Sequence, residues 1–216
     1  MDAIVDYYSQ RAPEYEEIYQ REDAVRQGEL LELAKNLRAT VSARRVLELA
    51  CGTGYWTRLI VEAAESLTGL DASPEMLKFA RAKVAARSNV QILIGDAYQP
   101  DAAVGEFDTG VAMFWFSHIP RARIDEFLAS LHKKLGSGAT VFMADNTYVP
   151  GLGGELTQDD QSPDSYKLRK LKEGSEHRVI KNYYSEAELR TILEPHAAEL
   201  TTRFGTAYWW TRYSVR

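Results

Sequence analysis

The sequence predicts an α/β fold in which helices cover both faces of one mostly parallel sheet. Strand-like apolar segments alternate with amphipathic helical segments from about Arg44 onward, as in a sheet whose parallel strands are joined by crossover helices. The first strand runs directly into a glycine turn, and aspartates follow the next two strands. Open sheets of this kind bind ligands at the carboxyl ends of their strands, so we expect a ligand site at that edge.

The composition favours a single intracellular domain of 216 residues. Cys51 is the only cysteine and cannot form an intramolecular disulfide, which predicts a cytoplasmic protein. No apolar run approaches the roughly 18 residues of a membrane span, and Met1–Gln10 does not resemble a signal peptide. The net charge of −5 disfavours nucleic acid as a partner. The densest basic stretch, Lys167–Lys172, is interpreted as a solvated helix face.

Seven strands are predicted, and the last two form a hairpin. Five strands are predicted at Arg45–Leu49, Ser66–Leu70, Val90–Ile94, Asp108–Phe114 and Thr140–Ala144. Helices are predicted at Trp56–Ala64, after an N-cap at Ser73, at about Arg123–Leu135, and after a capping box of Ser185 and Glu188. The segments Glu199–Arg203 and Ala207–Tyr213 alternate around Gly205 and predict an antiparallel terminal hairpin.

Two segments lie outside this alternation of strands and helices. Residues 1–43 are predicted to form a helical leader that packs over one edge of the sheet. Residues 146–184 show little apolar periodicity and are much longer than a strand-to-helix turn needs. We expect this insertion to form a cap over the ligand.

The glycine turn follows the segment Val46–Leu49 and favours a nucleoside without phosphate groups. Glycines there let a ligand approach the backbone closely, as in dinucleotide sites. However, Thr57 stands where the dinucleotide pattern has its third glycine, and bulky Trp56 precedes it. Glu48, at the mouth of the first strand, would repel a phosphate but suits a cationic ligand. A nicotinamide-dependent oxidoreductase is therefore disfavoured.

Two aspartates follow the second and third strands. Asp71 could accept hydrogen bonds from ribose hydroxyls, and Asp96 could accept one from an adenine amine. Each acid alone could be an ordinary loop carboxylate. Together with Glu48, they place three carboxylates at successive strand ends of one sheet edge.

These motifs resemble those of the class I methyltransferases that use S-adenosylmethionine, over about Val46–Ala144. The resemblance implies a doubly wound, Rossmann-like, seven-stranded and mostly parallel sheet whose last strand inserts antiparallel. It implies that residues 1–216 form one S-adenosylmethionine-dependent methyltransferase domain, which methylates a small-molecule acceptor at oxygen or nitrogen. A non-catalytic or regulatory protein that binds S-adenosylmethionine is the alternative, because a cofactor site does not establish turnover.

The resemblance also implies which residues bind the cofactor. In the family, the residues matching Glu48, Ala50, Gly52 and Gly54 line the methionine part, the one matching Asp71 holds the ribose, and those matching Asp96 and Ala97 hold the adenine. Leader residues often close over the cofactor. The full predicted set is Tyr7, Tyr15, Glu48, Ala50, Gly52, Gly54, Asp71, Ala72, Asp96, Ala97 and Phe114. Ala50 departs from the family, because many members have glycine there.

On the acceptor side, His118 follows the fourth strand and is the candidate general base, although a histidine there can also merely orient a loop. The predicted acceptor-binding residues are Asn146, Tyr148, His177 and Tyr183, because polar-tipped rings suit a small molecule that needs orienting hydrogen bonds. The oligomeric state is left open by the sequence.

No metal is expected. The pair Asp145–Asn146 is similar to the acid-amide pair of catechol-type methyltransferases. However, the end of the fourth strand is aromatic at Phe114–Phe116 and supplies no third oxygen ligand for Mg²⁺.

Overall fold

The computed structural model describes residues 3–152 and 154–216 of the chain. Met1 and Asp2 of the predicted leader, and Gly153 of the predicted insertion, lie outside the described residues. None of the helices in the described ranges is both long enough and apolar enough to cross a membrane.

The described chain contains helices α1–α6 and strands β1–β10. The helices are Ala3–Arg11 (α1), Ala24–Val41 (α2), Tyr55–Val61 (α3), Pro74–Val84 (α4), Ile124–Leu135 (α5) and Glu186–Leu193 (α6). The strands are Arg45–Leu49 (β1), Ser66–Asp71 (β2), Val90–Ile94 (β3), Thr109–Met113 (β4), Thr140–Asn146 (β5), Leu156–Asp159 (β6), Ser162–Lys170 (β7), Glu176–Ile180 (β8), Ala197–Phe204 (β9) and Tyr208–Val215 (β10). A 3-10 helix, Ala12–Tyr19, continues α1.

Seven strands form one sheet in the order β3-β2-β1-β4-β5-β10-β9. Strands β1 to β5 pair in parallel, whereas β10 pairs antiparallel with both β5 and β9. This confirms the predicted doubly wound fold and its inserted last strand. The strand order reverses between β1 and β4, and open α/β sheets bind their ligands at such a point.

Each face of the sheet has its own apolar core. Neighbouring residues of β1 point to opposite faces, because side chains alternate along a strand. Val46 packs in the core that includes α2, α3 and α4, while Leu47 packs in the core that includes α5 and α6. Both residues are fully buried, so the sheet is covered on both sides.

Most predicted boundaries agree with the structure to within a few residues. Strands β1 and β3 match their predicted bounds, whereas α3 ends at Val61 rather than Ala64. The capping box is present: the Ser185 hydroxyl accepts a hydrogen bond from the Glu188 amide at 3.2 Å, and the Glu188 carboxylate accepts one from the Ser185 amide at 2.8 Å.

The insertion differs from the expected irregular loop, because β6, β7 and β8 form a separate three-stranded antiparallel sheet. The basic stretch interpreted as a solvated helix face belongs largely to β7, and Lys167 is only 1% exposed. Asp164 and Ser165 are also buried. Burial of polar side chains leaves no apolar periodicity, which is why the sequence pattern did not reveal these strands.

The two glycines of the turn after β1 allow a paired test of the fold. Both have left-handed backbones, but a Cβ on Gly54 would lie 2.8 Å from the Cα of Ala80 in α4, whereas a Cβ on Gly52 would have no atom within 4 Å. We expect Gly52→Ala to lower the free energy of unfolding by about 1 kcal/mol through backbone strain alone. Gly54→Ala should lower it by about 3 kcal/mol, because helix α4 must also move. Urea denaturation measures both, and equal losses would contradict this packing.

Candidate functional site at the carboxyl edge of the sheet

The turn after β1 is held in left-handed backbone conformations. Ala50, Gly52 and Gly54 have φ values of 52°, 56° and 80°. A glycine would adopt this conformation at position 50 without strain. The Cβ of Ala50 makes the left-handed conformation less favourable by about 1 kcal/mol. The Gly52 amide donates a hydrogen bond to the Asp71 carboxylate at 2.9 Å, which ties this turn to the end of β2.

The Asp71 carboxylate binds the backbone of the turn after β1 and of the residues before α4, and it can still accept a hydrogen bond from a ligand. One carboxylate oxygen accepts the bond from Gly52, and the other accepts one from the Ser73 amide at 2.9 Å. Burial raises the pKa of Asp71, and the hydrogen bonds, which lower the pKa, offset this effect only in part. A carboxylate has about four acceptor positions, so it can still accept from a ligand donor. Asp96 is exposed at the end of β3, where it accepts a hydrogen bond from the Tyr98 amide at 2.9 Å.

A cavity of about 320 Å³ opens between these strand ends and the leader, and we call it the cofactor cavity. Of the predicted residues, its lining includes Tyr15, Ala50, Gly52, Asp71, Ala72, Asp96, Ala97, Phe114 and His118. It also includes residues that the sequence had not indicated: Ile4, Val5, Tyr8, Ser73, Met76, Gly95, Tyr98, Met113, Trp115 and Arg123. The carboxyl ends of β1 to β4 thus converge on one cavity.

Glu48 lies in a small recess that shares Ala50, Gly52 and Tyr15 with the cofactor cavity. Its side chain is 1% exposed and accepts a hydrogen bond from the Thr57 hydroxyl at 2.7 Å. Burial, more than the nearby charge of Asp71, raises the pKa of Glu48 to about 8. The carboxylate form would be stabilised by a cationic ligand group beside it.

Comparisons with known proteins agree with this geometry. Residues 46–138 match the family model of the methyltransferase domain. The chain is 28% identical over 165 residues to the malonyl-[acyl-carrier protein] O-methyltransferase of Serratia marcescens, which covers 75% of this chain and 56% of that protein. It is 30% identical over 116 residues to the demethylmenaquinone methyltransferase of Staphylococcus epidermidis, which covers 50% of this chain and 46% of that protein. The chain thus spans about half the length of these curated relatives.

Among solved structures, the fold matches a DhpI–SAM–HEP complex with a TM-score of 0.75 and 28% identity, over 98% of this chain and 95% of that one. A DhpI–SAH complex matches with a TM-score of 0.76 and 26% identity, over 98% and 94% of the two chains. In sequence and in fold the chain is similar to the class I S-adenosylmethionine-dependent methyltransferases. S-adenosylmethionine is the cofactor of this family, and both matched complexes contain it or its demethylated form.

The residues of this chain fit that cofactor chemically. We propose that Asp71 accepts hydrogen bonds from the ribose hydroxyls and that Asp96, with Ala97, contacts the adenine. We propose that buried Glu48 balances the positive charge of the methionine part, since it has a protein hydrogen bond but no basic partner among the described residues.

Two predicted cofactor residues point elsewhere. Tyr7 does not line the cofactor cavity but packs against Leu171 and Val179 of the inserted sheet, and its neighbour Tyr8 lines the cavity instead. Successive residues of a helix point in directions about 100° apart, so the sequence alone could not fix which tyrosine faces inward. Gly54 faces α4 rather than the cavity, so its importance comes from helix packing.

A second cavity of about 90 Å³, which we call the acceptor cavity, adjoins the first. The two cavities share Tyr8, Tyr15, Phe114 and His118 in their linings. The rest of the acceptor lining is Arg11, Ile18, Tyr19, Arg21, Arg26, Asn146, Thr147, Val149, Leu152, Arg169, Lys181, Tyr183 and Tyr208. The shared residues are mostly aromatic and lie where the two cavities meet.

The structure separates the four predicted acceptor residues. Asn146 and Tyr183 line the acceptor cavity. Tyr148 is 44% exposed and stacks edge-on against Tyr183, with ring centroids 5.2 Å apart. His177 packs against the ring of Tyr7 and pairs with the Ser175 hydroxyl at 2.8 Å. Neither Tyr148, in the connection after β5, nor His177, in β8, lines the cavity.

His118 lines both cavities, and both of its ring nitrogens are engaged. Nδ1 is 2.7 Å from the carbonyl oxygen of Ile180, which can only accept, so Nδ1 carries the proton. Nε2 therefore accepts the hydrogen bond from the Tyr8 hydroxyl at 2.7 Å. Burial, with repulsion from Lys181, lowers the pKa of His118 to about 3. The imidazole is neutral at physiological pH and has no lone pair free for an acceptor's proton.

Asp145 forms a buried ion pair instead of a metal site. Its carboxylate accepts a hydrogen bond from the ammonium of Lys181 at 3.0 Å and one from the Ser117 amide at 2.8 Å. Both charged side chains are at most 4% exposed. Among residues 3–152 and 154–216, no three His, Cys, Asp or Glu side chains are grouped as metal ligands. Metal-independent chemistry stays a prediction.

Glu48 gives a prediction that links cofactor binding to stability. Because folding raises its pKa from about 4.5 to about 8, its contribution to stability is present below the lower value and is lost as the pH rises through the higher one. Glu48→Gln should therefore stabilise the cofactor-free protein at pH 8 relative to the parent. It should also weaken S-adenosylmethionine binding at least about tenfold, because the cationic cofactor loses its counter-charge.

Thermal unfolding between pH 5 and 8 and calorimetric titration measure the two effects. Exposed Glu65 is the matched control, since Glu65→Gln removes the same charge far from the cavity. Unchanged cofactor affinity in Glu48→Gln would refute the assigned role of Glu48.

His118 gives a second pH prediction. Because its pKa is lowered to about 3, the imidazole should stay neutral when the pH falls from 8 to 5. The ring proton resonances of His118, assigned by comparison with a His118→Gln variant, should not shift over this range in NMR spectra. A titration midpoint near 6.5 would show that the ring is exposed and available as a base.

Proposed function

We propose that the protein transfers the methyl group of S-adenosylmethionine to a small-molecule acceptor at oxygen or nitrogen, without a metal ion. The observation that carries this proposal is that the two cavities adjoin and share four lining residues. A molecule in the acceptor cavity would lie next to the cofactor, at the place where Tyr8, Tyr15, Phe114 and His118 line both cavities. S-adenosylmethionine supplies an activated methyl group when bound, so holding the acceptor in line is a large part of the remaining task.

The size and lining of the acceptor cavity support a small molecule over a polymer. Its volume of about 90 Å³ has space for a compact group only. The rings of Tyr183 and Tyr208 belong to its lining and not to that of the cofactor cavity, and exclusion of water by such rings favours transfer. The relatives named above are small-molecule and carrier-protein methyltransferases by name, which is consistent with this class.

Cys51 is buried and unpaired, and we place the reaction in the cytoplasm.

We propose a positioning role for His118 in place of general-base catalysis. Its contacts join the leader, through Tyr8, to the end of β8, through Ile180. These bonds place the Tyr8 ring between the two cavities, edge-on to the imidazole at a centroid distance of 5.4 Å. A base is needed only when the acceptor must lose a proton during attack, so an acceptor that is already ionised would need none.

The proposal is tested by supplying S-adenosylmethionine with a labelled methyl group and a panel of small carboxylic acids, phosphonic acids, phenols and amines. We expect the demethylated cofactor and a labelled product to form together, in amounts exceeding the enzyme. Asp71→Ala is the matched negative control, since loss of its ribose contact and of its bond to Gly52 should weaken cofactor binding at least about tenfold. Tight cofactor binding without turnover on any of these acceptors would favour the regulatory, cofactor-binding alternative.

A further inference from the structure

The acceptor cavity is basic, although the protein as a whole is acidic. Its lining contains five basic side chains and, among the described residues, no aspartate or glutamate; the five are Arg11, Arg21, Arg26, Arg169 and Lys181. The whole chain has a formal net charge of −5. Arg26 and Lys181 are buried, so the cluster is not simply a set of solvated surface charges. Positive charge is therefore concentrated at the place where the acceptor binds.

Arg26 is the buried arginine of this cluster. Its side chain is only 9% exposed, and it donates a hydrogen bond to the Tyr208 hydroxyl at 2.8 Å. Its Nε is buried and has no hydrogen-bond partner. Within the part of the chain that the structure describes, Arg26 forms no ion pair with a carboxylate. A buried guanidinium without a counter-charge is costly, and a bound anion would remove that cost.

Arg21 and Arg11, two other basic residues of the lining, also form no ion pair with a carboxylate among the described residues. Partial burial and repulsion from Arg26 lower the pKa of Arg21. Arg11 contacts a tyrosine hydroxyl and lies over the ring of Tyr15 at 5.4 Å, without a carboxylate partner among the described residues. Lys181 differs from them, because Asp145 neutralises it. The net charge of the lining is therefore positive even after the Lys181–Asp145 pair is counted.

Resting on the proposed function, we propose that the methyl acceptor is a small organic anion, a carboxylate or a phosphoryl group. Arg26 and Arg21 hold this group, with Arg11 and Arg169 adding positive charge around it. The planar guanidinium group matches the paired oxygens of both chemistries and can bind them with two hydrogen bonds. An ionised oxygen of the anion is the atom that receives the methyl group.

The reaction balances without a base. The acceptor oxygen supplies an electron pair to the methyl carbon, the carbon–sulfur bond breaks, and sulfur keeps the electrons of that bond. The sulfonium becomes a neutral thioether, and the acceptor loses one negative charge as it becomes a methyl ester. No proton moves, which agrees with a His118 whose two nitrogens are already engaged. An ammonium group would be repelled by the arginines, and an un-ionised phenol or alcohol would find no free base.

Binding to the complex of the protein with demethylated cofactor tests the anion site. The probes for calorimetric titration are inorganic phosphate, methylphosphonate and malonate. We expect at least one of them to bind, and we expect Arg26→Gln and Arg21→Gln each to weaken that binding about tenfold or more. Malonate and methylphosphonate distinguish a carboxylate site from a phosphoryl site. Arg212→Gln is the matched control, because it removes the same charge from an exposed residue that lines neither cavity.

Arg21 keeps the test decisive if Arg26→Gln does not fold, because Arg21 is exposed at the cavity mouth. Absence of binding by all three anions would overturn the inference, and so would equal weakening by Arg212→Gln. Methyl transfer to amines or phenols that is unaffected by Arg26→Gln would overturn the inference but leave the proposed function intact. A labelled methyl ester, identified by mass spectrometry and lost in Arg26→Gln, would support both.

Discussion

The buried ion pair of Lys181 and Asp145 holds the two parts of the active site together. Asp145 belongs to β5 of the main sheet, whereas Lys181 follows β8 of the inserted sheet. The Lys181 ammonium also donates a hydrogen bond to the Ser117 hydroxyl at 2.6 Å, so three separate segments meet at one charge. Removing either partner would leave an uncompensated buried charge, which typically costs about 3–5 kcal/mol. The position of the insertion over the cavities therefore depends on this pair.

Further bonds extend from that pair to both cavities. The Asn182 amide donates to the Ser117 carbonyl at 2.8 Å, and Ile180 accepts the bond that orients His118. His118 in turn receives the Tyr8 hydroxyl of the leader. The leader is held from its other side as well, because Glu16 accepts bonds from Thr53 in the glycine turn and from Lys83 in α4. The leader and the insertion thus close over the cavities as parts of one connected network.

The two cavities also differ in the sign of their charge. Carboxylates dominate around the cofactor, with Glu48 in its recess and Asp71 and Asp96 at the strand ends. Arginines dominate around the acceptor. A cationic methyl donor and an anionic acceptor would each meet opposite charge, and neither would be drawn to the other's cavity. This separation of charge orients the two molecules by electrostatics.

The sequence by itself determined the sheet, the glycine turn and the strand-end acids, because each depends on residues close together in the chain. Periodicity revealed β1 to β5, and the turn required φ values that Gly52 and Gly54 adopt readily. Ala50 marked a departure from the family, and its left-handed φ of 52° shows the strain that goes with it. The same local patterns placed Asp71 and Asp96 at one edge.

Only the tertiary structure decided which side chains meet across that edge. The Arg26–Tyr208 bond spans 182 positions and the Tyr8–His118 bond spans 110, so no local pattern could have indicated either. Tyr8 rather than Tyr7 faces inward because the packing of α1 against its neighbours, and not its composition, sets its rotation. The inserted sheet buries polar residues such as Lys167, so hydrophobic periodicity was silent there. The acceptor cavity is built from such distant contacts, whereas the cofactor cavity is built largely from the turns that follow neighbouring strands. This difference explains why the sequence predicted the cofactor cavity much better than the acceptor cavity.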